Sequence, residues 1–355
     1  MINPRCIILL LLLSPLTVLA QDNESGWQRF LGKAKLFLDS TDVAGCNLDY
    51  VRPYKHPWTA HISLRQFGTN LHTTANNGSD ARLMAGTKSN FQLKLAYRGY
   101  GFSYSIPLAN GGENEFSLSK RGPVYGLEYR RYSSRSLHGN VKGQSSYNVA
   151  EPFEHNVSRG DILKRSIELN AYYIIDHKTF SYPAAITGTV RQIRSCGSPI
   201  LAAAYYESSV YSNSDSLSHY WDDIRKLKIR QLSIGGGYGY NYVFGHNSCF
   251  LVHGSVMPMI SFYRRNKLYT KHSYSDIEED SFFEADRYIN YFNGLRDRST
   301  ALKFTAILRG SFHYSWRDYI VGYRVAFNRT DAGSYSKFHV TITDWNGNLY
   351  LGYRF

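Results

Sequence analysis

Beyond residue 20 the chain has no apolar run near the ~20 residues that a membrane-crossing helix needs, which excludes a helical membrane protein. Cysteine is scarce: there are four, and Cys6 lies in the N-terminal segment. Cys46, Cys196 and Cys249 remain, so at least one thiol stays free in an exported protein, and their spacing is not that of metal ligands. A nucleotide loop is also lacking. The Gly-rich “GGGYGY” (235–240) has no strand-to-helix context that could cradle a phosphate. No cofactor is expected. Acidic residues are outnumbered by basic ones, 28 to 41, for a net charge of +13. In an exported chain such an excess does not point to nucleic acid. It suits lipid phosphates, anionic polysaccharide, a pore lined for anions, or plain solvated loops.

The export signal is itself present. Met1 to Arg5 is short and basic, Cys6 to Val18 is apolar, and Val18-Leu19-Ala20 is a small-x-small site before the polar Gln21. The pattern is that of a secretory signal peptide over residues 1–20, cleaved after Ala20. The rest is rich in Tyr (30), Gly (29) and Phe (19). Apolar residues recur at every second position. Leu302, Phe304, Ala306, Leu308, Phe312, Tyr314 and Trp316 oppose Lys303, Thr305, Arg309, Ser311, His313 and Ser315, with Ile307 an exception. Similar series run through Phe91–Tyr97, Ile167–Ile175, Leu232–Phe244 and Tyr319–Phe327. Alternation means a sheet with one apolar and one polar face.

A soluble sandwich alternates in the same way, but three features favour a transmembrane barrel. The strands reach the ~9–11 residues needed to cross a bilayer at a tilt. Aromatics cluster at strand ends, where an interfacial girdle lies. Gly235, Gly237 and Gly239 sit on the polar face, where a narrow lumen has little room. “FGHN” (244–247) and “WRDY” (316–319) read as tight turns; 133–161, 212–228 and 265–300 read as long polar loops. Short turns on one side and long loops on the other are the outer-membrane pattern. The expected fold is all-β: a transmembrane antiparallel barrel of about 12 strands over residues 58–355, with 10–14 open because the alternation of short and long connections fails around 110–200. Residues 21–57 come before it as a periplasmic segment. Trp27, Phe30, Leu31, Ala34, Phe37 and Leu38 recur at helical spacing, which predicts a short amphipathic helix. “VRPYKHP” (51–57) reads as an extended linker. The final segment is expected to close the ring, with Leu349, Leu351, Tyr353 and Phe355 toward lipid and Asn346, Asn348 and Arg354 toward the lumen.

Several of these stretches carry a more specific resemblance. “YRGYGFSYSIPL” (97–108), “FSYPAAITGTVRQIRSCGSPILAAAYY” (180–206), “GGGYGYNYVF” (235–244), “NGNLYLGYRF” (346–355) and “LDYVRPY” (48–54) resemble a Bacteroidetes family catalogued as domain of unknown function 4421. The resemblance implies an outer-membrane β-barrel and brings no catalytic residues or substrate. A C-terminal strand ending in Phe also resembles the signal read by the barrel-assembly machinery, which implies that role for Tyr353 and Phe355.

Candidate sites lie on the polar faces. Lys94, Arg98, Arg130, Glu168, Lys303, Arg309, Arg324 and Arg354 are expected to line the lumen, where surplus Lys and Arg favour anions if the barrel conducts. If they pair in a packed ladder, nothing passes. His61 and Ser63 share a strand face, as a His-activated Ser would need, and resemble the pair of a lipid-A deacylase barrel. No third orienting group is identifiable, and an enzyme is not expected. The acidic cluster at 276–286 lacks the ordered spacing of a calcium loop and reads as solvated. Three functions follow in order: a narrow channel or transporter for small or anionic solutes, an accessory or structural subunit of an envelope complex, and a lipid-modifying enzyme. Expected partners are outer-membrane lipid and lipopolysaccharide, the assembly machinery and an envelope protein, with no nucleic acid.

Overall fold

The computed structural model describes residues 43–75, 80–108, 114–135, 137–144, 152–212, 224–270, 303–335 and 338–355. The elements, in chain order, are β1 (Val51–Pro53), β2 (Trp58–Ala75), β3 (Asp80–Tyr97), β4 (Tyr100–Pro107), β5 (Asn114–Arg121), β6 (Tyr125–Ser134), β7 (Leu137–Gln144) and β8 (Pro152–Val157). They continue with β9 (Ile162–Ile174), the helical turn α1 (Tyr182–Ile186), β10 (Val190–Gln192), β11 (Cys196–Ser212), β12 (Ile224–Phe244), β13 (Phe250–Thr270), β14 (Lys303–Trp316), β15 (Tyr319–Tyr335) and β16 (Phe338–Arg354). The signal peptide, the predicted helix and the acidic cluster fall outside the described residues.

Twelve of these strands form one antiparallel ring: β2, β3, β4, β5, β6, β9, β11, β12, β13, β14, β15 and β16. The seam lies between β16 and β2, where Arg354 pairs with Thr59 and Phe338 with Ala75. Past it, Trp58 and Phe355 each donate a backbone N–H to the other's carbonyl, at 3.1 and 3.0 Å. No ladder edge of the wall is left open there, as a barrel in lipid requires.

The outer face shows why the sequence alternates. Ile62, Leu64, Leu93, Leu95, Leu308, Val321, Leu349 and Leu351 are exposed, while His61, Ser63, Gln92 and Lys94 are buried inside. At the end carrying the seam's Trp58 and Phe355, aromatic rings follow one another around the rim. Trp58 lies 6.4 Å from Phe355, Phe355 6.3 Å from Tyr353, Tyr353 5.1 Å from Tyr319, and Tyr319 6.1 Å from Trp316.

Toward the opposite end the polarity of the faces inverts within single strands. On β2 the inward residues change from His61, Ser63 and Arg65 to Phe67 and Leu71, while the outward ones change from Ile62 and Leu64 to Asn70 and His72. On β12, Leu227 and Ile229 point inward, and the outward Lys228 and Arg230 each meet Glu207 of β11 at 2.7 Å. Strands of 17–21 residues are far longer than the ~9–11 that a bilayer needs. In the lipid-facing half the outside is apolar and the inside polar. In the projecting half the order is that of a water-soluble barrel. An aliphatic layer including Leu71, Leu83, Val210, Leu227, Val340 and Ile342 fills the lumen there. Residues 133–161, read as a loop, contribute the β7–β8 hairpin to that half. β7 pairs with the start of β3, and Leu137, Val141 and Val157 enter the layer.

Residues 175–195 depart furthest from expectation. They make no wall strand. They fold into the lumen from the aromatic-rimmed mouth as a short plug. Ser181 caps α1 by accepting from the Ala184 N–H at 3.2 Å. Gly188, at φ 64, turns the chain out of the helix, and β10 then pairs with β1. So “VRPYKHP” is extended, as expected, but its first three residues form a strand that holds the plug. Twelve strands make a lumen wider than wall side chains alone can fill, and the plug supplies the missing core. Phe180, Tyr182, Ala184, Ala185 and Ile186 are buried against Tyr172, Ile200, Leu251, Met257, Met259 and Ile307. Ile307, the one exception in its alternating strand, faces inward for this contact.

Candidate functional site

Between the plug and the aliphatic layer lies a polar chamber of about 150 Å³. Its charged lining comes from seven wall strands. Arg65 is on β2, Lys94 on β3, Glu115 and Arg121 on β5, Glu128 and Arg130 on β6, Glu168 on β9, Arg309 on β14 and Arg324 on β15.

Most of these charges are matched. Glu115 takes Arg65 and, at 2.6 Å, Arg130. Arg130 also meets Glu168 at 3.4 Å. Glu128 sits between Arg121, at 2.7 Å, and Arg309, at 2.8 Å. Two carboxylates, Glu115 and Glu128, are thus each shared by two guanidiniums. Some pairs span the lumen. Lys164 on β9 reaches Asp344 on β16 at 2.6 Å, six strands away in either direction round the ring. Asp344 also accepts from Thr69 Oγ1 at 2.6 Å and from Tyr132 Oη at 2.8 Å. A buried pair of this kind repays its desolvation only when its remaining hydrogen-bonding positions are filled, as here.

The plug is fastened by side chains of the wall. A helix leaves its last carbonyls without partners, and three cationic or polar side chains supply them. Ser311 Oγ donates to the Ala185 carbonyl at 2.7 Å, Arg324 to that of Ile186, and Arg354 Nε to that of Gly188 at 3.2 Å. Asn241 Nδ2 donates to the Ser181 carbonyl at 2.9 Å, and Arg309 Nη1 to the Tyr182 hydroxyl at 3.0 Å. Gly239 gives the Phe180 ring its room: a Cβ there would stand 3.1 Å from Phe180 Cζ and 2.9 Å from Ile200 Cδ1.

The residues read from sequence as lumen-lining therefore divide. Lys94, Arg130, Glu168, Arg309 and Arg324 meet around the chamber. Arg354 is buried at the mouth, its guanidinium carbon 3.6 Å from the centre of the Tyr54 ring, and it anchors the plug. Lys303 opens β14 opposite Ser261, away from the chamber. Arg98 is a correction. β3 ends at Tyr97, and Arg98 occupies the tight turn to β4 with φ 52, so it does not line the wall. Tyr353 and Phe355 lie exposed on the outer rim.

Sequence reading passed over Arg65, Glu115, Arg121 and Lys164. The signal was available for three of them: Glu115, Ser117, Ser119 and Arg121 alternate with Phe116 and Leu118, and Arg65 continues the His61, Ser63 face. His61 and Ser63 do share the inner face, but they do not bond to each other. Ser63 Oγ donates to the Gln92 carbonyl at 3.3 Å, while His61 stacks on Tyr350 at 5.1 Å and meets Arg324 Nη2 through Nδ1 at 3.4 Å. Both are buried within the barrel. Among the described residues Cys196 and Cys249 form no disulfide, and Cys46 Sγ donates to the His177 carbonyl at 3.4 Å.

Comparison with known proteins adds the following. A family model described as a domain of unknown function (DUF4421) matches residues 39–355. A search of the curated proteins found no match. Among solved structures, the chain is similar to the translocator domain of the autotransporter NalP from Neisseria meningitidis, with 10% identity, 85% of this chain and 90% of that one covered, and a TM-score of 0.38. It is also similar to the outer membrane protease OmpT from Escherichia coli, with 10% identity, 84% and 96% covered, and a TM-score of 0.37. For the toluene transporter TodX of P. putida the figures are 9% identity, 85% and 91% covered, and a TM-score of 0.28. At such distances the fold stands on the strand pairing of this chain alone.

Proposed function

The chain belongs to the DUF4421 family, and from its site we propose that it is an outer-membrane β-barrel acting as a gated, narrow conduit for small anionic solutes, closed by its plug. The observation that carries this reading is the chamber: a polar space in the lumen, lined by more cationic than anionic side chains, shut off from the mouth by a segment that apolar packing and hydrogen bonds hold in place. Those hydrogen bonds exchange for water at a net ~0.5–1.5 kcal/mol each and belong to no ladder of the wall, so the plug can move without breaking the pairing of the wall strands. The exposed apolar band and its aromatic rim support residence in the outer membrane, with lipid and lipopolysaccharide around it. The rim position of Tyr353 and Phe355 suits recognition by the assembly machinery. We propose no catalytic role for His61 and Ser63, since each is engaged elsewhere inside the wall.

Single-channel recording in a planar bilayer tests this. The wild-type barrel should open rarely and with small, anion-preferring steps. Asn241→Ala with Ser311→Ala, which removes two ties to the plug, should open far more often. A steady, large conductance in the wild type would refute the closed plug. Silence in both proteins would favour the second reading, an accessory subunit of an envelope complex. The half that projects beyond the lipid-facing band, its lumen filled by the aliphatic layer, supports that alternative.

A further inference from the structure

Two cations of the chamber have no carboxylate. Lys94 makes no hydrogen bond and no ion pair through its side chain among the described residues, although it is buried. Arg324 gives one nitrogen to the Ile186 carbonyl and one to His61, lies with its guanidinium carbon 4.1 Å from the centre of the Tyr350 ring, and leaves Nε without a hydrogen-bond partner among the described residues. The three carboxylates of the chamber are already engaged: Glu115 and Glu128 by two guanidiniums each, Glu168 by Arg130. Among the described residues no carboxylate pairs with the two that remain. A buried charge without a counter-charge is among the costliest arrangements a fold can hold.

We infer that Lys94 and Arg324 form a binding site for a small, free, doubly charged oxyanion of phosphate or sulfate size, held within the lumen above the plug. The inference rests on the reading of the lumen as a place that anions enter, but not on their being conducted through it. The chemistry fits in several respects. An ammonium is a strong point charge and a guanidinium a directional donor, and together they match two negative charges spread over several oxygens. Neutral donors stand on the same lining: Gln92, Ser103, Ser117 and Ser119. Gly101, between Lys94 and Ser119, keeps the approach clear, since a Cβ there would stand 2.8 Å from Ser119 Oγ and 3.7 Å from Lys94 Cε. A cavity needs only ~10–15 Å³ on this measure to hold one water, so about 150 Å³ accommodates the anion with part of its hydration. The aliphatic layer and the plug leave no room for a phosphate carried on a lipid or a polymer.

Arg324 also ties the site to the plug, because the same guanidinium donates to Ile186. An anion that draws Arg324 toward the chamber competes with that bond. Occupation of the site and release of the plug are thereby coupled through one side chain.

The test is thermal unfolding of the purified full-length barrel in detergent, at constant ionic strength, with inorganic phosphate replacing gluconate. Samples are refolded in each medium, so that a slow plug does not limit access. Phosphate should raise the wild-type midpoint in a saturable way, and equilibrium dialysis should give about one phosphate per chain. Lys94→Gln should weaken the phosphate effect about tenfold or more, as loss of a charge-assisted hydrogen bond predicts. In gluconate the same variant should unfold at a higher temperature than the wild type, because an uncompensated charge has gone. This crossing of the two curves is something a merely structural lysine would not produce. Arg324→Gln serves as the second variant should the first fail to fold. A wild-type midpoint indifferent to phosphate, or an equal response in wild type and both variants, would overturn the site. Phosphate binding in a barrel that never conducts would leave the site standing and remove the conduit. Anion-preferring conductance without phosphate binding would do the reverse.

Discussion

Lys164 shows how much one buried side chain carries. It is almost wholly enclosed, and its ammonium crosses the lumen to Asp344 at 2.6 Å. Lys164→Met should cost ~3–5 kcal/mol, since it strands Asp344 without its counter-ion. Lys164→Met with Asp344→Asn should recover most of that loss, because the amide still accepts from Thr69. Urea midpoints in lipid vesicles check both, and a near-neutral single change would mean that the pair is not formed. On the outer face, Leu349→Arg should cost ~2–4 kcal/mol as a charge near mid-membrane, while Asn348→Ser on the inner face should be much milder. Equal effects would place the register one residue away. The inner and outer assignment of such residues was legible in the sequence, because alternation reports the face directly. Which cations are free was not. Pairing across six strands depends on the ring's closure, and nothing in the spacing of Lys164 and Asp344 announces that they meet.

At the scale of elements, the plug was the part least legible in the chain. “SYPAAITGTV” (181–190) is as apolar as a wall strand, and period-two reading has no way to mark a segment that enters the lumen. Two hints were present: the alternation of short turns and long loops fails near 110–200, and Ile307 stands on an otherwise polar face. The first reflects a connection that is neither turn nor outer loop, the second a lumen whose core needs an apolar residue pointing inward. Gly239→Ala tests the fit. It should crowd Phe180 and Ile200 and raise the opening frequency in a planar bilayer, and Phe180→Ala should relieve the crowding so that the double variant is less perturbed than the sum of its parts. Strict additivity would show that the two do not touch. The β7–β8 hairpin was hidden for another reason: Leu137, Val141 and Val157 are too few and too widely spaced among polar residues to stand out, and they become a pattern only where β3 receives them.

For the whole molecule, the sequence revealed a barrel of about the right size but assumed that each strand keeps one polarity from end to end. In fact the apolar positions of β12 change parity near Gln231, and that change marks where lipid gives way to water. A Trp introduced at Leu308 should be quenched best by bromines deep in the acyl chains, and Trp316 by bromines near the headgroups; similar quenching profiles would contradict the proposed depth. The inversion also fixes the height at which the molecule rides. Moved inward, the barrel would carry Lys228, Glu207 and Arg230 into hydrocarbon; moved outward, it would lift Leu308 and Leu349 into water. The first displacement is resisted by a charge penalty of up to ~2–4 kcal/mol per basic residue at depth, the second by the cost of exposing apolar side chains to water. The protein is thus the stiff partner in its membrane. Where the surrounding bilayer is thicker or thinner than the apolar band, the lipids adjust to it, and the deformation they carry draws similarly banded neighbours together.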